Sequence, residues 1–364
     1  MEYGRKDESM NIQQIIKDSI LHQKAYEIED TACRVKLDAN ENPYGLTPVL
    51  QQRLCDYMKT IPFNRYPDPG SRTLRMRLAR HFGVDQSMII IGNGSDELIQ
   101  ILLTAFNPAA SGGVVIPCPT FAMYKISALN AGHRVLEVPL DDRFDLDLDA
   151  MLEVLARTEP HLVFLSYPNN PTGNCFDRHK IETILNASKG PVVVDEAYYN
   201  FSGRTFLTDL ARWDNLIILR TLSKVGFAAV RVGILIAQPD LAHELNKVRL
   251  PYNMNALSQA AALFYLENEQ EFLRQVEYIL TERDVLAAGL HAIDTLHPFP
   301  TDANFVLFSC DTDENKLYST LLSEGFLIKH FASPEVLRRC MRVTVGSEGE
   351  NREFLDALRN IIRR

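Results

Sequence analysis

The sequence predicts an α/β fold: a large domain built on a mostly parallel, seven-stranded sheet, joined to a smaller α+β domain. Three observations lead there. Short β-branched runs alternate with amphipathic helical stretches through most of the chain, the pattern of strands linked by helical crossovers. Near residue 275 that rhythm changes. The length of 364 residues, 46% of them hydrophobic, exceeds one average domain and can bury a substantial core.

The strand-like runs, in order, are "MIIIGNG" (88–94), "GGVVIPCPT" (112–120), "HRVLEVPL" (133–140), "HLVFLSYPNNP" (161–171), "PVVVDEAY" (191–198), "LIILRTLS" (216–223) and "RVGILIA" (231–237). Each is short and bounded by turn residues, as buried strands are. Between and after them, apolar residues recur at helical spacing in "LIQILLTAF" (98–106), "LDAMLEVLART" (148–158), "IETILNAS" (181–188) and the long stretch 257–290. The last quarter then reads as a long helix, a strand "ANFVLFSC", a helix "ENKLYSTLLSEG", strands "FLIKHF" and "CMRVTVGS", and a final helix "NREFLDALRNIIRR". The expected division is an N-terminal segment 1–45 packing with the small domain, a large domain 46–275 and a small domain 276–364.

Charge and composition exclude several classes. A net charge of −9, with both signs interspersed, argues against a nucleic-acid surface. The opening "MEYGRKDESMNIQQIIKDSI" lacks the apolar segment of a signal peptide, and the apolar runs are too short to span a membrane. Six cysteines without a C-x-x-C pair read as reduced thiols of a cytoplasmic protein. Nine dispersed histidines offer no spacing that brings two ligands to one face, so no metal is expected.

Candidate chemistry collects where apolar runs end. In open α/β sheets, ligands sit beyond the carboxyl ends of strands. Asp195 ends one such run and Tyr198 follows three residues later; alone, Asp195 reads equally well as a helix cap. Asn170 lies in the loop "SYPNNPTGN", which by itself is turn chemistry. Gly92 and Gly94 precede Ser95 and Asp96 at the start of a helix, a place that favours an anion. No third glycine or Lys-Ser/Thr completes a nucleotide-binding motif there. Lys224 follows Thr221 and Ser223 past another strand end, with Arg231 seven residues on. Such a lysine is either a surface residue or a Schiff-base nucleophile with a lowered pKa. Together, an anion nest, an acid, a phenol with an amide, and an amine with an arginine are what pyridoxal phosphate requires.

The motifs "VKLDANENPYG" (35–45), "NRYPDP" (64–69), "GNGSDE" (92–97), "PTFAMY" (119–124), "NNPTGN" (169–174), "DEAYYNF" (195–201), "TLSK" (221–224) and "RVTVG" (342–346) extend the pattern over nearly the whole chain. With them the sequence resembles the fold-type I pyridoxal-phosphate aminotransferases, and most closely their histidinol-phosphate branch. The resemblance implies that Lys224 binds the cofactor aldehyde and shuttles the substrate proton. Asp195 would hold the pyridinium proton, Tyr198 and Asn170 would donate to the phenolate oxygen, and Phe121 would stack on the ring. It further implies a phosphate site made of Gly94, Ser95, Asp96, Thr221, Ser223 and Arg231, with Tyr66 lent by the other subunit of a homodimer with shared active sites. Arg342, Tyr26, Asn42 and Lys329 would meet the substrate.

Two departures stand out against the family pattern. Lys329, in "GFLIKHF", occupies the place where many relatives carry an arginine, so positive charge is kept without a fork of donors. The spacing from Lys224 to Arg231 is also one residue shorter than in some relatives. The activity implied is exchange of the amino group between histidinol phosphate and 2-oxoglutarate, giving imidazole acetol phosphate and glutamate in histidine biosynthesis. An aromatic-amino-acid aminotransferase, or a lyase of the phosphothreonine decarboxylase type, would use much the same residues.

Overall fold

The computed structural model describes residues 11–21, 23, 31–107 and 112–363. Twelve strands among them are β1 (Val35–Leu37), β2 (Ile89–Asn93), β3 (Val114–Cys118), β4 (Val135–Pro139), β5 (Leu162–Ser166), β6 (Val192–Asp195), β7 (Leu216–Thr221), β8 (Val232–Ile236), β9 (Leu296–Pro298), β10 (Phe305–Cys310), β11 (Phe326–His330) and β12 (Cys340–Thr344). They form two sheets. The larger has seven strands in the order β2-β8-β7-β6-β5-β3-β4, and the smaller has five in the order β1-β11-β12-β10-β9.

In the larger sheet, β4, β3, β5, β6 and β7 pair in parallel, whereas β8 runs antiparallel to both β7 and β2. All seven strands coincide with the runs expected from the sequence. The central ones read as unbroken apolar segments because both faces are covered. Phe164, Val193, Ile217 and Leu219 face one apolar core; Val163, Leu165, Val194 and Ile218 face the other. The second core continues into Phe305, Phe308 and Phe326 of the smaller sheet, so the two sheets share packed interior.

That topology brings the chemistry to one edge. The carboxyl ends of β2, β3, β5, β6 and β7 lie side by side, and β8, running the other way, begins there. Gly233 sits where β8 passes the loop after β2: a Cβ on it would lie 2.3 Å from the Gly94 carbonyl carbon. A side chain would push the two apart.

The helices depart from the sequence pattern in two places. Residues 257–290 are not one helix but two, Ala256–Glu267 and Glu269–His291, interrupted at Asn268. The buried Asn268 side chain donates to the Phe264 carbonyl at 2.7 Å, and asparagine competes with helix backbone in this way. The helix expected from 98 starts at Ser95, because its first turn is the polar "SDE" and carries no apolar periodicity. Position 275 falls inside Glu269–His291, which runs without a break through it. In the smaller sheet β1 pairs in parallel with β11, so Val35–Leu37 of the N-terminal segment are part of that sheet. No described helix is long and apolar enough to cross a membrane.

Candidate active site

The anion nest is assembled from two connections of the larger sheet, the turn after β2 and the segment between β7 and β8. Gly94 has φ +82°, and a Cβ there would lie 2.4 Å from Arg231 Nη2, so only glycine leaves the space between helix and guanidinium. Ser95 and Asp96 open the eleven-residue helix Ser95–Ala105, whose first amides lack partners within it. Arg231, at the start of β8, donates to Asp96 Oδ2 at 2.9 Å and to Ser223 Oγ at 3.4 Å. The Thr221 hydroxyl shares its proton between Ser223 Oγ at 2.9 Å and the Val232 carbonyl at 3.1 Å. All six residues assigned to a phosphate come together here.

Asp195 closes β6 and is buried. Tyr124 donates its hydroxyl proton to Oδ2 at 2.6 Å, and the Ala197 amide donates to Oδ1 at 3.0 Å. Burial pushes its pKa up to about 6; the two donors act in the opposite sense. Tyr124 itself lies fully buried, stacked on Phe164 with ring centroids 4.7 Å apart, and Phe121 meets its edge at 5.4 Å.

Lys224 stands in a single 3-10 turn, Ser223–Val225, directly past β7. Its Nζ donates to the Ala39 carbonyl at 3.2 Å and lies 5.7 Å from the Tyr198 ring centroid. Burial, helped by the charges of Arg342 and Arg231, brings its pKa down to about 8. Near neutral pH a far larger share of this amine is unprotonated than of an ordinary lysine.

Arg342 reaches in from β12 of the smaller sheet. One terminal nitrogen donates to Asn170 Oδ1 and the other to the Asp38 carbonyl at 2.5 Å, with the guanidinium carbon 5.1 Å from the Phe305 ring. Asn170 thus uses its oxygen on the arginine and keeps its amide nitrogen for another acceptor. Tyr198 is buried, and its hydroxyl oxygen accepts from Asn40 Nδ2 at 2.9 Å. Burial raises the Tyr198 pKa, keeping the phenol protonated.

The four other assigned residues are Tyr66, Lys329, Asn42 and Tyr26. Tyr66 is 81% exposed and stacks on Tyr252 at 4.5 Å. Lys329 sits on β11 directly across from Arg342 on β12, which puts the two side chains on one face of the smaller sheet. Asn42 has both polar ends engaged, donating to Gln275 Oε1 at 2.9 Å and accepting from the Tyr44 amide at 2.8 Å, so a substrate contact would displace one of them. Tyr26 lies outside the described residues.

Tyr124 on Asp195 and Asn40 on Tyr198 are among the residues that the sequence did not single out although they touch assigned ones. Both fall inside quoted motifs, "PTFAMY" and "DANENP", which is the signal that could have found them. An arginine-backed anion nest, a buried carboxylate, a protonated phenol and a depressed amine along one edge fit a phosphorylated pyridine aldehyde. Because residue 94 is glycine, the Arg231 guanidinium packs against the start of the helix, and a cation beside free helix amides is the donor set that a phosphate suits.

Comparison with known proteins agrees with this geometry. The family model described as aminotransferase class I and II matches residues 34–358. A histidinol-phosphate aminotransferase of Aquifex aeolicus is 41% identical over 350 residues, covering 96% of this chain and 98% of its own. Histidinol-phosphate aminotransferase 2 of Nitrosococcus oceani is 42% identical over 352 residues, covering 96% and 97%. The crystal structure of a histidinol-phosphate aminotransferase from Sinorhizobium meliloti in complex with pyridoxal-5'-phosphate superposes with a TM-score of 0.83 at 26% identity, over 91% of each chain. From its motifs, its sheet topology and the match along nearly its full length, this chain belongs to the class I and II aminotransferase family.

Proposed function

We propose that the chain transfers the amino group of L-histidinol phosphate to 2-oxoglutarate with pyridoxal 5'-phosphate as cofactor, a step of histidine biosynthesis. The observation that carries this reading is the depressed amine of Lys224 placed between the anion nest and the Arg342 fork, in a chain 41–42% identical to histidinol-phosphate aminotransferases. The cofactor supplies an electrophilic aldehyde for the substrate amine and a ring that accepts electrons from the bond being broken.

The chain's own groups have distinct tasks. Helix amides at Ser95 and Asp96, the hydroxyls of Thr221 and Ser223, and Arg231 hold the phosphate. Asp195, ionised above about pH 6, accepts the ring N–H, while Tyr124 and Ala197 keep its charge solvated. Tyr198 and the Asn170 amide nitrogen donate to the phenolate oxygen, and Phe121 packs on the ring face. Lys224 Nζ would hold the cofactor aldehyde at rest and, once displaced by substrate, would carry the proton from the substrate carbon to the cofactor's aldehyde carbon. Arg342 offers two parallel donors that suit a carboxylate and a phosphate alike.

Lys329 adds a second cation beside Arg342, and Tyr26 and Asn42 complete the substrate's surroundings. Tyr66 serves the neighbouring subunit of a cytoplasmic homodimer. Of the described residues, 31–45 with 276–363 would make up the small domain and 46–107 with 112–275 the large one, joined through the helix Glu269–His291.

A half-reaction tests the function. Cofactor-loaded protein mixed with histidinol phosphate, without keto acid, should lose its visible band as pyridoxamine phosphate and imidazole acetol phosphate appear. Conversion of phenylalanine instead, or release of carbon dioxide from phosphothreonine, would move the activity to another substrate or another bond.

A further inference from the structure

Asn40 lies just beyond β1 in left-handed backbone, φ +55°, and is 1% exposed. Asparagine is among the few residues that tolerate that conformation. All of its polar atoms are committed. The backbone N–H donates to Thr344 Oγ1 at 2.9 Å, and the carbonyl accepts from Asn304 Nδ2 at 3.1 Å. Oδ1 accepts from the Thr344 hydroxyl at 3.3 Å, and Nδ2 donates to Tyr198 Oη at 2.9 Å.

Thr344 decides which way the amide faces. Its oxygen already receives the Asn40 N–H, so its single proton goes out to an acceptor, and Oδ1 is that acceptor. Nδ2 is thereby turned to Tyr198. The phenol oxygen receives a hydrogen, and among the described residues nothing accepts the phenol's own. A buried donor left in that state needs a ligand acceptor.

We propose that Asn40 is a positioning residue for Tyr198: its amide occupies the phenol oxygen, so that the phenol proton is directed at the cofactor's phenolate oxygen. The inference rests on the role proposed above for Tyr198. It also ties Tyr198 to the smaller sheet, through Thr344 on β12 and Asn304 just before β10. A phenol that donates to the phenolate oxygen disfavours the protonated cofactor and sets the pH midpoint of its visible band low.

The test is a spectrophotometric pH titration of that band in cofactor-loaded variants. Asn40→Asp keeps the acceptor for Thr344 and reverses the bond to Tyr198, because a carboxylate takes the phenol proton. Its midpoint should rise by about 1 pH unit, the scale of one redirected hydrogen bond. Asn40→Ala, which adds no charge, should rise by less. In a Tyr198→Phe background both shifts should disappear.

An Asn40→Asp shift that persists in full beside Tyr198→Phe, with Asn40→Ala unmoved, would overturn the inference, because the field of the new carboxylate would then suffice. If Tyr198→Phe alone leaves the midpoint in place, the role proposed for Tyr198 is what fails. Should the Asn40 variants not load, Thr344→Val carries the test. It removes the group that orients the amide, and an unshifted midpoint there overturns the proposal.

Discussion

Burial works against both charged groups on which the chemistry depends. Lys224 is brought down from 10.5 to about 8, and Asp195 is raised from 3.8 to about 6. A lowered lysine contributes its stability above its ordinary value and loses it as pH falls through about 8; a raised acid contributes below its ordinary value and loses it as pH rises through about 6. At pH 7 each therefore destabilises the cofactor-free fold by about 3 kcal/mol. Lys224→Met and Asp195→Asn should both be inactive yet melt above the cofactor-free wild type at pH 7. The lysine variant should lose that advantage toward pH 10, and the aspartate variant below pH 4; lower melting at pH 7 would mean that partners outweigh burial. Both residues were legible in the sequence because they follow apolar strands abruptly. Tyr124 and Asn40 were not, since their partners lie 71 and 158 positions away and no local spacing records the contact.

At the scale of elements, the turn from β2 into the helix Ser95–Ala105 is the most constrained joint of the site. Gly94 combines positive φ with an arginine where its Cβ would be. Gly94→Ala should cost roughly 1–3 kcal/mol of stability from backbone strain. Because the added methyl displaces Arg231, affinity for pyridoxal phosphate should fall at least about tenfold, the scale of one charge-assisted hydrogen bond. Equilibrium dialysis beside a denaturation curve separates the two, and unchanged cofactor affinity would remove Arg231 from the phosphate. The strands that build this edge were readable because burial on both faces makes them apolar runs. The three-residue strands β1 and β9 are too short to show a period, and the break at Asn268 depends on a side-chain contact inside an otherwise continuous helical pattern.

The whole molecule gathers one site from two sheets, and the proposed dimer would add a second chain. Phe63, Tyr66, Leu250 and Tyr252 are exposed aromatic or aliphatic side chains, with Tyr66 and Tyr252 stacked on one another. If Tyr66 serves the neighbouring site, Tyr66→Ala and Lys224→Ala subunits, each poorly active alone, should recover activity when mixed. One site of such a hybrid has its own lysine and an intact borrowed tyrosine. No recovery, with hybrids present by native mass spectrometry, would confine each site to its own chain. Arg342 gives the assembly a last property. Its two terminal nitrogens are already satisfied, one by a side chain beyond β5 and one by a carbonyl beyond β1. In the role proposed for it, a substrate anion is exchanged for these internal stand-ins instead of filling a bare cation. The binding strength is then the gain of the ion pair less the two neutral-acceptor bonds given up, which tempers affinity and eases departure, as suits an enzyme that must release one product before it admits the next substrate.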